Sequence, residues 1–577
     1  MDKPTTIRTK KWQVAPVAPP NLFSELSKYS PTVVQLLYNR GINTLADADN
    51  FIQGIYVPSA NPFQLADMDK AVERITQAID NDEVIVVYGD FDADGVTSTV
   101  LLIQALRGLG VDRRNARPYI PNRVDEGYGL NIEALSKLKE EQNASLVISV
   151  DCGIRSVAEV EHANAIGLDM IITDHHSLGP ELPPATAVIN PKRPNSDYPE
   201  TMLAGVGIAF KLAQALRKAL PERANFTDES LLDLVAIGTV ADLAPLLGEN
   251  RKLVNDGLKV LNSSKRPGIE ALTKVARIKG TRITTETIGF GIGPRINAAG
   301  RLESAYTAAR LLNANNQIDG NRFAHELNEL NQKRQQITSD LSAKAETLVE
   351  EDAPIIIAAD ESFLSGVVGL VASRLADKHY RPAIVIEKGD VESRGSCRSI
   401  AEFHITDALD EVADILVRHG GHAQAAGFTI CNEHLPQFIE RMTAIAHEKL
   451  DGLDLFPTIA VDAELDLNDI DQALFNHLKA LEPTGVGNPP PIFVSRNVEV
   501  IHHRAVGQDK SHLQMRLTSP EAIGGTHKSF PAIAFRMGEW AYFLPQYIDI
   551  VYTLSENHWN GRTEIQLMVQ DLKPAQV

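Results

Sequence analysis

Apolar positions along this chain repeat in an alternating rhythm of short solid runs and helical stripes. The run Val84-Ile85-Val86-Val87-Tyr88 is β-branched and uninterrupted, the pattern of a strand buried on both faces in a parallel sheet. It stops at Gly89 and gives way to carboxylates at alternate positions, Asp90, Asp92 and Asp94, before Gly95. Residues 96–106 then take up helical spacing after a hydroxyl-rich first turn, and a helix over 68–79 precedes the run. The rhythm continues with a strand at 116–120, a helix at 131–141 and a strand at 145–150 that ends on Asp151. A helix over 156–166 and a strand at 169–172 follow, and then Thr173-Asp174-His175-His176. Right-handed crossovers make such strands parallel, so their carboxyl ends share one edge, where open α/β sheets gather ligands. Asp90, Asp92, Asp94, Asp151, Asp174, His175 and His176 are therefore expected to converge.

Three like charges this close repel strongly unless a cation neutralises them, which points to a metal site. Asp-x-Asp-x-Asp-Gly also opens a calcium-binding EF-hand loop, but that loop needs a Glu at its twelfth position and a helix in front. Counting from Asp90, the twelfth residue is Leu101, and a strand precedes. A solvated acidic turn explains one such strand end; it does not explain three. A further acid, Asp242, stands between the apolar run 234–241 and a turn ending at Pro245, where the pattern alone favours a capping role.

Further along, residues 288–301 read Ile-Gly-Phe-Gly-Ile-Gly-Pro-Arg-Ile-Asn-Ala-Ala-Gly-Arg. Small residues there allow close backbone approach, and Arg295 and Arg301 supply cationic donors suited to phosphate. Residues 318–351 are polar and helical. The stripe Phe323, Leu327, Leu330, Ile337, Leu341 and Leu348, broken by Arg334 and Lys344, suits a partly exposed helix bridging two domains. A second α/β domain is expected from a strand at 353–359, a helix at 367–379, a strand at 382–387 and another toward Ser399. Ser396 and Arg398 are two apart, so on an extended segment they point to one side. With Arg123, from the glycine-bearing loop after the second strand, they are suited to hold a terminal phosphate.

From about residue 457 the pattern turns to β. Candidate strands lie at 492–500, 513–517, 532–535, 548–554 and 564–569, with Asn560-Gly561 as a hairpin turn between the last two. Five short strands suggest an OB-like barrel, a common single-strand-binding fold. Stacking residues are few: Phe493, Phe535 and Trp559.

Length and composition change the picture only in part. A chain of 577 residues is too long for one core and suggests three or four domains. A hydrophobic content of 44% and charged content of 23% are those of globular protein. No apolar run reaches membrane-span length, and the first twenty residues lack a signal-peptide core, so a cytoplasmic location is expected. Cys152, Cys397 and Cys431 are scattered and odd in number, which disfavours a disulfide framework or a thiolate zinc site. The formal charge of −19 leans against a nucleic-acid binder, although a metal-loaded cleft rimmed by arginines is locally positive on an acidic protein.

The segments Asp-x-Asp-x-Asp-Gly (90–95), Val-Asp-Cys-Gly (150–153), Thr-Asp-His-His (173–176) and Gly-Thr-Val-Ala-Asp (238–242), in this order, resemble the four motifs of the DHH phosphoesterase superfamily. Within it the chain is similar, over nearly its whole length, to the bacterial single-strand-specific 5′→3′ DNA exonucleases, which carry a segment much like residues 293–301. Gly420-Gly421-His422 resembles the signature of the DHH-associated substrate-binding domain, whose glycines let backbone amides approach a phosphate. One departure is visible: Phe363-Leu364-Ser365-Gly366 stands where relatives commonly read Trp-His-x-Gly.

The resemblance implies a two-metal site for Mn2+ or Mg2+, with Asp92, Asp94, Asp151, His175 and Asp242 as ligands and Asp151 bridging. It makes Asp90, Asp174 and His176, with Asp151, the remaining catalytic set, and Arg123, Arg295, Arg301, Ser396, Arg398 and His422 the groups that hold DNA. Single-stranded DNA is the implied substrate, in repair and recombination. A single-strand-binding protein and a helicase are the implied partners, and no membrane is involved.

The expected architecture is a helical segment (1–66), a parallel-sheet catalytic domain (67–316), a helical linker (317–352), a second α/β domain (353–455) and an OB-like barrel (456–577). Two other readings stand beside it. One is a small-substrate phosphoesterase, a pyrophosphatase or short-oligonucleotide nuclease. The other is a DNA-binding scaffold without activity.

Overall fold

A computed structural model describes residues 10–58, 60–123, 126–263, 266–278, 282–520, 528–559 and 562–575. Two compact units result: residues 58–455, and residues 1–57 together with 456–577.

The larger unit begins on a parallel sheet of five strands: β1 (Val84–Tyr88), β2 (Ala116–Tyr119), β3 (Ala144–Val150), β4 (Asp169–Thr173) and β5 (Ala187–Ile189), in the order β2-β1-β3-β4-β5. Side chains alternate across β1. Ile85 and Val87 enter one core, while Val86 and Tyr88 enter the other, so both faces are covered and the solid apolar run is explained. The chain leaves β1 toward β2 on one side and returns to β3 on the other. That reversal opens a crevice at the carboxyl ends of β1 and β3.

Helix α1 (Ala93–Gly108) is buried almost all round, because α2 (Gly205–Ala219) and α3 (Leu232–Ala241) pack on the side away from the sheet. Helix α4 (Gly293–Leu302) leads to α5 (Gln317–Glu346), the long helix expected from the sequence. Phe323, Leu327 and Leu330 of α5 belong to the catalytic core, and Ala345 belongs to the core of the next domain, so the helix does bridge two cores. Leu348 lies past its end and is exposed.

The second α/β domain holds β6 (Ile356–Asp360), α6 (Ser365–His379), β7 (Ala383–Lys388), β8 (Glu392–Arg398), β9 (Leu416–His422) and β10 (Ala425–Cys431), with sheet order β9-β10-β8-β7-β6. Only β6 and β7 run parallel; the other pairs are antiparallel.

In the smaller unit, β11 (Phe493–Val506), β12 (His512–Thr518), β13 (Ser529–Ala534), β14 (Tyr547–Trp559) and β15 (Arg562–Pro574) close into a barrel in the order β11-β12-β13-β15-β14, with β14 returning to β11. The Asn560-Gly561 turn lies outside the described residues, as does the Trp559 side chain. Phe493 is fully buried in the barrel core and offers no stacking surface, whereas Phe535 is 54% exposed.

Residues 1–57 do not stand as a separate segment. Leu22, Leu26, Val33, Leu36 and Leu37 share one core with the barrel's Phe493, Leu513 and Leu567. Lys11–Val14 also pairs in parallel with Thr458–Val461. The apolar faces of the helices Pro20–Glu25 and Pro31–Asn39 find their cover more than 400 residues away in sequence.

Candidate active site

The strand-end acids meet at the crevice between β1 and β3. Asp92 caps α1, its Oδ1 accepting from the backbone N–H groups of Asp94 (2.9 Å) and Gly95 (3.1 Å). Asp94, fully buried in the first turn of α1, accepts from the N–H groups of Gly205 (2.7 Å) and Val206 (2.8 Å) at the start of α2. Two glycines make that approach possible. A Cβ on Gly205 would lie 2.7 Å from Asp151 Oδ1, and one on Gly238 would lie 2.9 Å from Asp94 Oδ1.

Asp151 holds a left-handed backbone, φ 61°, while its N–H reaches the Thr173 carbonyl of the neighbouring strand end (3.0 Å). Its Oδ1 lies 3.1 Å from His175 Nε2, and His175 Nε2 lies 3.9 Å from Asp242 Oδ2. Asp242 sits at the carboxyl end of α3, where a carboxylate is opposed by the helix dipole, so the capping role favoured by the pattern does not explain it. Three overlapping donor sets lie within 4.8 Å: Asp151–His175–His176, Asp94–His175–Asp242 and Asp90–Asp92–Asp151.

Asp174 is used differently. Its Oδ2 accepts from Ile154 N–H (3.0 Å), and its Oδ1 accepts from His176 N–H (3.1 Å) and meets His176 Nδ1 (2.7 Å). It fixes the His176 ring, which the Tyr128 hydroxyl approaches to 3.3 Å.

Electrostatics follow from this crowding. Burial, then neighbouring carboxylates, holds Asp90 and Asp151 well above the ordinary carboxylate range. Burial with the Asp92 charge pushes Asp94 up to about 7, and burial with Asp94 and Asp92 pushes Asp242 up to about 9. Burial lowers His175 to about 3, so its ring is neutral, the form that binds metals. Burial opposes protonation of His176, yet the Asp174 contact outweighs it and raises that pKa. Asp90 Oδ1, Asp151 Oδ1 and His175 Nε2 are buried without a hydrogen-bond partner. Buried oxygen and imidazole donors left unpaired around one point are the donor set of a hard divalent cation, and these residues fit one.

The predicted phosphate groups surround this centre in part. Arg123 lies over the Phe91 ring at 3.9 Å, with its Nε buried and unpartnered. Arg301 donates to the Gly366 carbonyl (3.0 Å), and burial, then Arg123, Arg334 and Arg398, lowers its pKa to about 10. The backbone of α4 comes flush against the Asp90 loop, since a Cβ on Gly300 would lie 2.1 Å from the Phe91 carbonyl oxygen. Ser396 and Arg398 lie side by side on β8, 3.4 Å apart, against Gly369 of α6. Arg295 is engaged by Asn328 (3.1 Å) and the Gly291 carbonyl (2.7 Å).

The Gly420-Gly421-His422 segment is the outer strand β9, paired with Gly427, Ala426 and Ala425, and His422 is exposed at its end. Phe363 fills the second domain's core, and Leu364 beside it is 44% exposed. Two groups escaped the sequence reading. Asn297 Oδ1 accepts from Ala93 N–H (2.7 Å) and so ties α4 to the acidic loop, and Lys192 donates to the His175 carbonyl. The Asn lies inside the 288–301 segment, where a polar residue among glycines and alanines was a visible signal.

Fold and site together define a DHH-type phosphoesterase with an added barrel. Family profiles agree: "DHH family, N-terminal domain" matches residues 84–239, "DHHA1 domain" matches 352–448 and "RecJ OB domain" matches 461–571. The single-stranded-DNA-specific exonuclease RecJ of Bacillus subtilis is 39% identical over 94% of this chain and 68% of that protein. Its Escherichia coli counterpart is 34% identical over 96% of this chain and 97% of its own length. A crystal structure of Thermus thermophilus RecJ in complex with Mn2+ superposes with a TM-score of 0.82 at 29% identity, covering 98% of this chain and 80% of that one. The chain belongs to the RecJ family of single-stranded-DNA-specific exonucleases.

Proposed function

We propose that this enzyme hydrolyses single-stranded DNA from its 5′ end with the help of divalent metal. The observation that carries the reading is the set of unpaired buried donors, Asp90 Oδ1, Asp151 Oδ1 and His175 Nε2, at the β1/β3 crevice. Asp92, Asp94, Asp151, His175 and Asp242 would hold Mn2+ or Mg2+, as the relatives crystallised with those ions do in their own sites. The metal supplies Lewis acidity at the scissile phosphate.

The chain's own residues do the rest. Asp174 keeps His176 oriented and more basic, so that His176 donates a proton or hydrogen bond at the phosphate. Arg123 and Arg301 neutralise phosphate charge beside the metal, and Ser396 with Arg398 grip the 5′ terminus. Residues 67–316 thus carry the chemistry, 317–352 the bridge, 353–455 the end pocket with His422, and 456–577 the grip on the strand.

A single-strand-binding protein and a helicase belong to this reading as suppliers of the strand, and pull-down with each tests them. A cytoplasmic location suits a DNA substrate and three unpaired cysteines. The test of function is hydrolysis of a long single strand against pyrophosphate with Mn2+. Rapid loss of the strand alone supports the reading, and turnover of pyrophosphate alone replaces it with a small-substrate phosphoesterase.

A further inference from the structure

Helix α5 carries three guanidiniums along one face. Arg295, reaching from α4, donates through Nε to Asn328 Oδ1 (3.1 Å). Arg334, on α5 itself, donates twice to Asn331 Oδ1 (3.2 and 2.8 Å). Arg374, reaching from α6 of the second domain, donates to Ser342 Oγ (3.3 Å). Positions 328, 331 and 342 are separated by one and then three helical turns, so they share a face, and the span is about 21 Å at the rise of an α-helix.

None of the three pairs with a carboxylate among the described residues. Other cations of the same helix do: Arg322 with Asp319 (3.0 Å) and Lys344 with Asp360 (2.7 Å). Burial lowers the pKa of Arg334, and Arg374 and Arg295 lower it further. Arg334 in turn acts on Arg301, which feels the Asp92 charge. A line of like charges lacking acids, with Arg295 and Arg334 partly withdrawn from water, is costly unless an anion joins it. A ligand that neutralises several at once along a helix face is a linear polyanion.

We propose that Arg334 and Arg374 continue the phosphate contacts from Arg295 along α5 and bind the single strand behind the nucleotide being cleaved. This rests on the nuclease reading above, and it gives the bridging helix a role as a track.

The test is equilibrium binding of a fluorescent single-stranded oligonucleotide to the full chain in EDTA, across a series of NaCl concentrations. Removing one cation that neutralises a phosphate should lower the slope of log K against log salt by about 0.7. R374Q is an exposed change that leaves the fold alone and should lower the slope by one such step. R334Q/R374Q should lower it by two, and R334K/R374K should restore it. Slopes in the Gln variants equal to wild type would overturn the track. Failure of wild type itself to bind single strands would instead overturn the nuclease reading.

Discussion

His175 Nε2 and Asp151 Oδ1 face each other across 3.1 Å, and neither makes a hydrogen bond. Two buried polar atoms in that relation are each costly to leave unpaired, by about 1–3 kcal/mol. A cation bound to both would reconcile them, as the proposed function requires.

The first prediction concerns Asp151. Because its backbone is left-handed, D151A adds strain of about 1–2 kcal/mol, whereas Asn tolerates that conformation. D151N should therefore keep the fold, lose cleavage by at least about a hundredfold, and melt higher than wild type in EDTA near neutral pH because the cost of burying an acid beside other carboxylates is gone. Substantial Mn2+-dependent cleavage by folded D151N would remove Asp151 from the site.

A second prediction is a pH dependence of the metal-free protein. Asp94 and Asp242 titrate at about 7 and about 9 in the folded chain, above the unfolded value of about 3.9. The native state thus binds more protons in this window, and the stability these groups contribute is lost as pH rises from about 4 to about 9. Thermal unfolding in EDTA should show D242N gaining on wild type steadily across that range. Mn2+ binding at pH 7 should release protons, which calorimetry in buffers of different ionisation enthalpy measures. A flat difference between D242N and wild type would count against the proposed coupling.

Arg398 is the predicted end reader. It has no carboxylate partner among the described residues, lies 3.4 Å from Ser396 Oγ, and donates to the Cys397 carbonyl (2.7 Å). R398A should lose the preference for a 5′-phosphate over a 5′-hydroxyl while binding metal as before. Comparing cleavage of both ends by wild type and variant decides it, and an unchanged preference excludes the role.

The shared core of residues 1–57 and the barrel sets a fourth expectation. Deleting 456–577 alone should give an aggregating protein, because Leu22, Leu26, Val33, Leu36 and Leu37 lose their cover. Deleting 1–57 as well should restore solubility, with weaker binding of long strands and retained hydrolysis of very short ones. Equal losses on both substrates would make the barrel a prop for the catalytic unit.

Strand ends such as Asp90–Asp94, Asp151 and Asp174–His176 were legible because solid β-branched runs announce buried parallel strands, and topology then aligns their termini. The three-residue β5 was not, being too short for any period. Nor was β9, whose exposed outer position lets Arg418, His419, Gly420 and Gly421 replace the usual alternation. Asp242 looked like a cap because a lone acid beside a turn is ordinary, and its approach to His175 (3.9 Å) is made only by the fold. Asn297 stood out as a polar residue among glycines and alanines, but its partner Ala93 is 204 positions away, and the cover of residues 10–57 is likewise distant, which no local pattern encodes.

Digestion of a 5′-labelled single strand, alone and annealed as a blunt duplex, with and without Mn2+, tests the central claim most directly. The account predicts prompt release of labelled mononucleotide from the single strand, none from the duplex and none in EDTA. Metal-independent release, or shortening of the strand with its 5′ label retained, would contradict it.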